Sequence, residues 1–392
     1  MGVLFAGGIV FDGQQRLEGH GVLVEDGTVR RVAPLGQFEG YAGERFDTSG
    51  ATLLPGLIDC HVHLVYGGEA NPRPIVMQAT PGQLTLKALE NAQRSLRGGV
   101  TAVRDCGGKD YLEFSVRDAI NRGVFQGPTI RAVGRMICMT GGHGNYIARV
   151  ADGRDEVVKA VREQVHAGCD QVKIMATGGV MTPGVNPEDA HYSAEEMAAG
   201  IAEARRFHRK TASHAQGSEG ILNAVLGGVD SIEHGIFMDE RCLEEMVKRG
   251  TALVATLAAV NRILSHAGQG VPDYVVEKAS RVVERHRQSV RMFHQAGGKL
   301  AMGTDAGTPY NLHGENSEEL EYLVEVGVSP LAALISATRH GAELLELPRQ
   351  GRIAEGSAAD LLVVRGDPSE DITAASRREN HRAVFKGGVR VV

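Results

Sequence analysis

The sequence predicts a (β/α)8 barrel that carries a small β-sandwich built from both chain ends. Three observations lead there. From about residue 58 to 349, short apolar strands alternate with long amphipathic helices. That rhythm implies parallel strands joined by right-handed crossovers, and about eight such units in roughly 290 residues have the size of a β/α barrel. Residues 1–57 and 350–392 read instead as short valine-rich strands separated by turn signals. Finally, a set of polar side chains falls at the ends of the predicted barrel strands, on the face where such barrels gather their active sites. An open doubly wound sheet is the competing arrangement, but no GxGxxG phosphate loop supports it.

Taken in order, VLFAGGIVF, GVLVEDGTVRRVAPL and ATLLPGLIDC are β-like, with Asp-Gly at 12–13 and 26–27 marking hairpin turns. VTAVRDCGG is followed by a helical YLEFSVRDAINRGV, and TIRAVGRMI by a loop and then DEVVKAVREQVHAG. DQVKIMAT leads through a long loop to a helix opened by a Ser193-x-x-Glu196 capping box. TASHAQ, SIEHGIF and KLAMGTDAG are further strands, and Ser329-Pro330 opens a late helix with a cap and an N1 proline. ADLLVVRGDP and HRAVFKGGVRVV return to the β texture of the start, so the two ends are expected to pair.

The 42 basic and 48 acidic residues leave a net charge of −6, without the basic excess that gripping nucleic acid requires. No 18-residue apolar run offers a membrane span, and the start of the chain does not read as a signal peptide. The five cysteines form no CxxC pair, which argues against a disulfide framework or zinc knuckle and for buried thiols in a reducing, cytoplasmic setting.

The sharpest chemical signal is Asp59-Cys60-His61-Val62-His63. Residues i and i+2 of a strand face the same side, so His61 and His63 make a pair of metal ligands. His214 ends TASHA, His234 ends SIEHG, Asp305 ends LAMGTDAG, and Lys173 lies in QVKIMAT, where a free ammonium is costly to bury. Four histidines, an aspartate and a lysine aimed at one mouth have no comfortable structural explanation.

On these motifs, together with MTGGHG at 139–144 and the closing GRIAEGSAADLLVVRGDP, the chain resembles the amidohydrolase superfamily. The likeness is to the branch of imidazolonepropionase-like proteins, Xaa-Pro and Xaa-Arg/Lys dipeptidases (prolidases) and ochratoxin-type amidases. The resemblance implies a binuclear centre, usually zinc. His61, His63 and Asp305 would hold the more buried ion, and His214 and His234 the more exposed one. Lys173 would be carboxylated, its carbamate bridging both. A metal-bridging hydroxide would attack the amide carbonyl, Asp305 would shuttle the proton, and His143 would contact the carbonyl oxygen.

Weaker candidates surround these. His191 and Tyr192, in the loop after Lys173, and His313, shortly after Asp305, are expected at the substrate. Some dipeptidases of this branch carry a carboxylate-binding tyrosine soon after the second metal-binding histidine. Here the stretch reads His234-Gly235-Ile236-Phe237, which puts Phe237 beside the substrate without a phenol. His166, His208, His286 and His294 read as solvated helix residues. The expected activity is hydrolysis of a dipeptide or N-acyl amino acid. The alternatives are a cyclic amide hydrolase or deaminase of the imidazolonepropionase type, and a non-catalytic metal-binding scaffold. By the same resemblance a homo-oligomer is expected.

Overall fold

The computed structural model describes residues 2–392. Parallel strands dominate the middle of the chain. Leu57–Val62, Val100–Asp105 and Thr129–Ala132 pair in parallel as one sheet, in the order 3-2-1. A second sheet runs from Arg149–Val150 and Ile137–Cys138 through Val172–Met175, Thr211–Ala215, Ser231–His234 and Ala252–Val254 to Leu300–Ala301, again all parallel. The two sheets meet where Cys60 N–H donates to the Met302 carbonyl and Asp305 N–H to that of His61.

The stretch TIRAVGRMI, expected as one strand, is two. Thr129–Ala132 stays with the first sheet and Ile137–Cys138 joins the second. Gly134 between them sits at φ +76°, a left-handed turn that a continuing strand does not accommodate.

Helices pack on the outside of these strands, and local sequence explains their bounds. Ser193 and Glu196 form a reciprocal capping box on Ala194–Arg206, and Ser329 caps Pro330–Ile335, which opens on proline. Gly168, Gly228 and Gly250 close three helices in the left-handed conformation. Among the described residues, no helix is long and apolar enough to cross a membrane.

Two further sheets follow, and the chain ends meet in the second. Gly2–Ala6, His20–Glu25, Thr28–Pro34 and Glu44–Asp47 form the first, with Asp26 and Gly27 both at positive φ in the hairpin turn. In the second, Ala51–Pro55 pairs antiparallel with Leu361–Arg365, which pairs in turn with His381–Lys386. Phe5, Val10, Val22, Leu53, Leu361, Val363 and Phe385 share one apolar core, with Phe5 and Phe385 edge to face at 5.0 Å.

Candidate metal and substrate site

His61 lies near the end of Leu57–Val62 with His63 just beyond, Lys173 lies within Val172–Met175, and His214 and His234 close the next two strands. Asp305 follows Leu300–Ala301. All six line one cavity of about 740 Å3, counting its open mouth.

Each histidine is held by one ring nitrogen. His61 Nδ1 faces the Glu233 carboxylate at 2.7 Å, and His63 Nδ1 faces the Gly107 carbonyl at 2.7 Å. His234 Nδ1 lies 2.6 Å from the Thr256 hydroxyl, which itself donates to the Ala255 carbonyl. His214 uses the opposite nitrogen, Nε2, against the Gly178 carbonyl at 2.8 Å. Acceptors at these four positions fix the N–H there and leave a lone pair on the other nitrogen of each ring, the arrangement by which proteins orient metal-ligating histidines.

The electrostatics agree. Burial drives the His61, His214 and His234 imidazoles well below their usual range, so all three are neutral. Burial pushes the Asp305 carboxyl up, but His61, His63 and Lys173 outweigh it and hold the group below the ordinary carboxylate range. His63 Nε2 comes within 3.2 Å of Asp305 Oδ1 without hydrogen-bonding geometry, and Oδ1 stays buried with no partner. The Lys173 ammonium, 1% exposed, has His61 Nε2 at 3.0 Å. His61, His63 and Asp305 offer ligand atoms all within 4.8 Å of one another. Neutral imidazoles, an orphaned carboxylate oxygen and a lysine form a donor set that fits divalent cations.

The backbone beneath is strained where the chemistry needs it. His234, Thr256 and Asp305 all sit at positive φ, at +73°, +57° and +61°. Each such residue costs on the order of 1–3 kcal/mol and persists only where its surroundings over-determine it. Asp59 supplies part of that determination. Its carboxylate accepts from His61 N–H, Thr304 N–H, the Thr304 hydroxyl and Asn316 Nδ2, tying the His61 strand to the Asp305 turn.

The remaining expected residues separate into two groups. His143 lines the cavity, with its ring stacked on His214 at 4.5 Å, and burial lowers its pKa to about 3. His191, Tyr192, Phe237 and His313 do not line it. His191 is buried behind the His143 loop, near Gly142. The Tyr192 hydroxyl donates to the Ala151 carbonyl inside the core. Phe237 turns into the apolar cluster of Val260 and Val275, and its neighbour Ile236 reaches the cavity instead. His313 lies under the first histidine pair, with Nε2 3.2 Å from the His63 carbonyl and 3.1 Å from that of Tyr66. His286, expected on a helix surface, is 1% exposed and holds the Ala255 carbonyl at 2.7 Å.

Sequence reasoning missed the cavity wall. Val180, Ile236, Val260 and Ile263 make one apolar side, while Tyr66 and Tyr146 make another, with their hydroxyls 2.7 Å apart. Tyr66 was within reach of the HxH motif, three positions past His63; the others come from loops and helices that carry no local signature.

Residues 52–391 match the model of the Amidohydrolase family. Ochratoxinase of Aspergillus niger is 30% identical over 367 residues, covering 86% of this chain and 75% of the relative. A solved Xaa-Pro dipeptidase with methionine bound in its active site is similar at a TM-score of 0.90 and 32% identity, over 100% of this chain and 99% of that one. A prolidase complexed with N-methylphosphonate-L-proline is similar at 0.90 and 31%, with the same coverage.

Proposed function

This chain belongs to the amidohydrolase family, and we propose that it hydrolyses the amide or peptide bond of a dipeptide or N-acyl amino acid with two divalent ions held in its cavity. It is a hydrolase acting on carbon–nitrogen bonds. The observation that carries the finer reading is the set of four oriented imidazoles, each presenting a lone pair beside Lys173 and the unpartnered Asp305 oxygen. A scaffold has no use for a carboxylate oxygen buried without a hydrogen-bond partner.

In this reading His61, His63 and Asp305 would hold one ion, His214 and His234 the other, and Lys173, as a carbamate, would serve both. Zinc suits these nitrogen and oxygen donors. Such ions supply polarisation of the scissile carbonyl and a water pKa lowered to about 7. The chain does the rest. Asp305 Oδ1 accepts the water's proton and returns it to the leaving nitrogen. His143, neutral and half-buried, donates to the carbonyl oxygen as negative charge develops there. The Val180, Ile236, Val260 and Ile263 wall excludes water and receives an apolar substrate group. Tyr66 and Tyr146 share one hydrogen bond between two hydroxyls, so one O–H remains to donate to the substrate.

Three structural readings accompany this one. The parallel strands close as a (β/α)8 barrel, which the Cys60–Met302 and Asp305–His61 hydrogen bonds support at one seam. Residues 1–57 and 350–392 form one β-domain around the barrel of 58–349, as the Ala51–Pro55 to Leu361–Arg365 pairing supports. All five cysteines are free and buried, which suits a reducing cytoplasm.

The test is metal content and a hydrolysis screen. Protein from zinc-supplemented growth should approach two ions per chain and cleave members of a dipeptide and N-acyl amino acid library. Lys173→Ala should lose at least one ion and nearly all turnover, with partial recovery in acetate or propionate. A Lys173→Met variant that keeps both ions and near-parental turnover would remove the carbamate. Zinc-loaded protein that cleaves nothing in the library would sink the substrate class.

A further inference from the structure

Loop 177–190, between Lys173 and the next helix, folds as a closed bow. Gly178 N–H donates to the Asp189 carbonyl at 3.0 Å, and Thr177 and Ala190 form an antiparallel bridge at its neck. Val180, Met181 and Thr182 on the bow line the cavity. Its other contacts reach the reacting groups. The Gly178 carbonyl holds His214, and the Thr182 hydroxyl accepts from Gly144 N–H at 3.1 Å, next to His143. A Cβ at position 179 would stand 2.6 Å from the His143 ring, so the bow lies directly against that imidazole.

Three carbonyls of the bow converge on one ammonium. Lys278, from the helix Asp273–Gln295, donates to the carbonyls of Val185 at 2.6 Å, Thr182 at 2.8 Å and Gly179 at 3.5 Å. Tyr274, one turn earlier, donates its hydroxyl to the Met181 carbonyl at 3.1 Å. Lys278 is only 9% exposed, and its hydrogen-bond acceptors are all main-chain oxygens. Asp189, Glu188 and Glu277 act on this ammonium through charge, but none hydrogen-bonds it. Burying a cation without a hydrogen-bonded carboxylate is expensive, and packing alone would be served better by an apolar side chain. A ring of carbonyl oxygens is instead the way a chain is organised around a hard cation.

We propose that Lys278 is a positioning residue, a tethered cation that sets the shape of loop 177–190 and through it the cavity wall and the His143 turn. The role rests on the amide-hydrolase reading of this cavity. Without the ammonium the three carbonyls lose their common partner, and the bow visits open states that substrate must close. Apparent affinity then falls with the competent fraction, so KM rises about tenfold while kcat at saturation changes by less than about threefold. A lysine that served only packing would give the opposite split: fewer folded molecules, lower apparent kcat and the same KM.

The experiment uses the metal-loaded protein, with Lys278→Met and Lys278→Ala compared by kinetics on a dipeptide from the screen and by amide hydrogen exchange. Exchange over 179–186 should quicken in both variants while the core of Asp273–Gln295 holds. Added methylammonium, small enough to enter the carbonyl ring, should slow that exchange in Lys278→Ala and bring KM back down; tetramethylammonium, with no N–H, should do neither. Unchanged exchange, or quickened exchange without a rise in KM, overturns the proposal. Failure of both variants to fold also overturns it, because Lys278 would then be a core residue. Exchange is read without turnover, so a parent protein inactive on every dipeptide refutes the substrate reading while the loop arm still decides.

Discussion

Two buried polar clusters lie one above the other in this molecule and are finished differently. In the lower, Arg104 is fully buried and every arm is matched: Nε to the Cys60 carbonyl, one terminal nitrogen to Gln171 and Ser231, the other to Glu233 at 2.7 Å. In the upper, Asp305 Oδ1 has no hydrogen-bond partner and four imidazole lone pairs face inward. His61 belongs to both, with Nδ1 on Glu233 and Nε2 in the cavity. A buried network complete in itself is architecture; one left incomplete at comparable depth is built for something that arrives later.

The largest expected effect breaks the upper cluster. Asp305→Asn keeps shape but removes the proton acceptor and a charged donor to one ion, and kcat should fall by up to about 10⁴-fold. A residual rate within tenfold of the parent would assign proton transfer to another group.

Next comes the lower cluster, where the cost should be stability. Arg104→Met strands the Glu233 carboxylate and should cost about 3–5 kcal/mol in urea unfolding. Adding Glu233→Gln should recover part of that loss. A double variant no better than the single one would show that the pair is not coupled through charge.

The smallest effect sharpens the comparison through pH. Burial lowers the His286 pKa to about 4 from 6.5, so the unfolded chain holds the extra proton in between. Its contribution is complete above pH 6.5 and is lost as pH falls towards 4. In metal-free protein, His286→Gln keeps a donor for Ala255 without titrating. Its stability loss between pH 7.5 and 4.5 should be smaller than the parent's by roughly 2–3 kcal/mol. Parallel curves for the two proteins would contradict the buried neutral histidine.

How legible each part was follows from the range of the forces involved. His61, His63, His214, His234 and Asp305 could be read because strand periodicity and strand ends are local properties, and parallel pairing brings strand ends together. His286 was legible too. Val275, Ala279, Val282, Val290 and Phe293 mark the buried face of its helix, and 286 falls on their 3.6-residue stripe. Its polarity masked the pattern. His191, Tyr192, Phe237 and His313 were placed at the cavity by nearness in sequence, yet a loop can turn its side chains either way. Tyr192 found a carbonyl in the core and His313 a pair of carbonyls beneath the site. Arg104 gave no warning, since its partners at 171, 231 and 233 are distant in sequence and adjacent only in the fold.

The antiparallel pairing of Ala51–Pro55 with Leu361–Arg365 sets a timetable for synthesis. At translation rates of about 5–20 residues per second, Leu53 waits roughly 15–60 s for Val363 to leave the ribosome. Through that interval Phe5, Val10, Val22 and Leu53 lack the far side of their core. The strand Ala51–Pro55 meanwhile shows an unpaired edge to its surroundings. These early strands thus settle later than the barrel strands made after them, and they spend that interval within reach of chaperones and of neighbouring nascent chains.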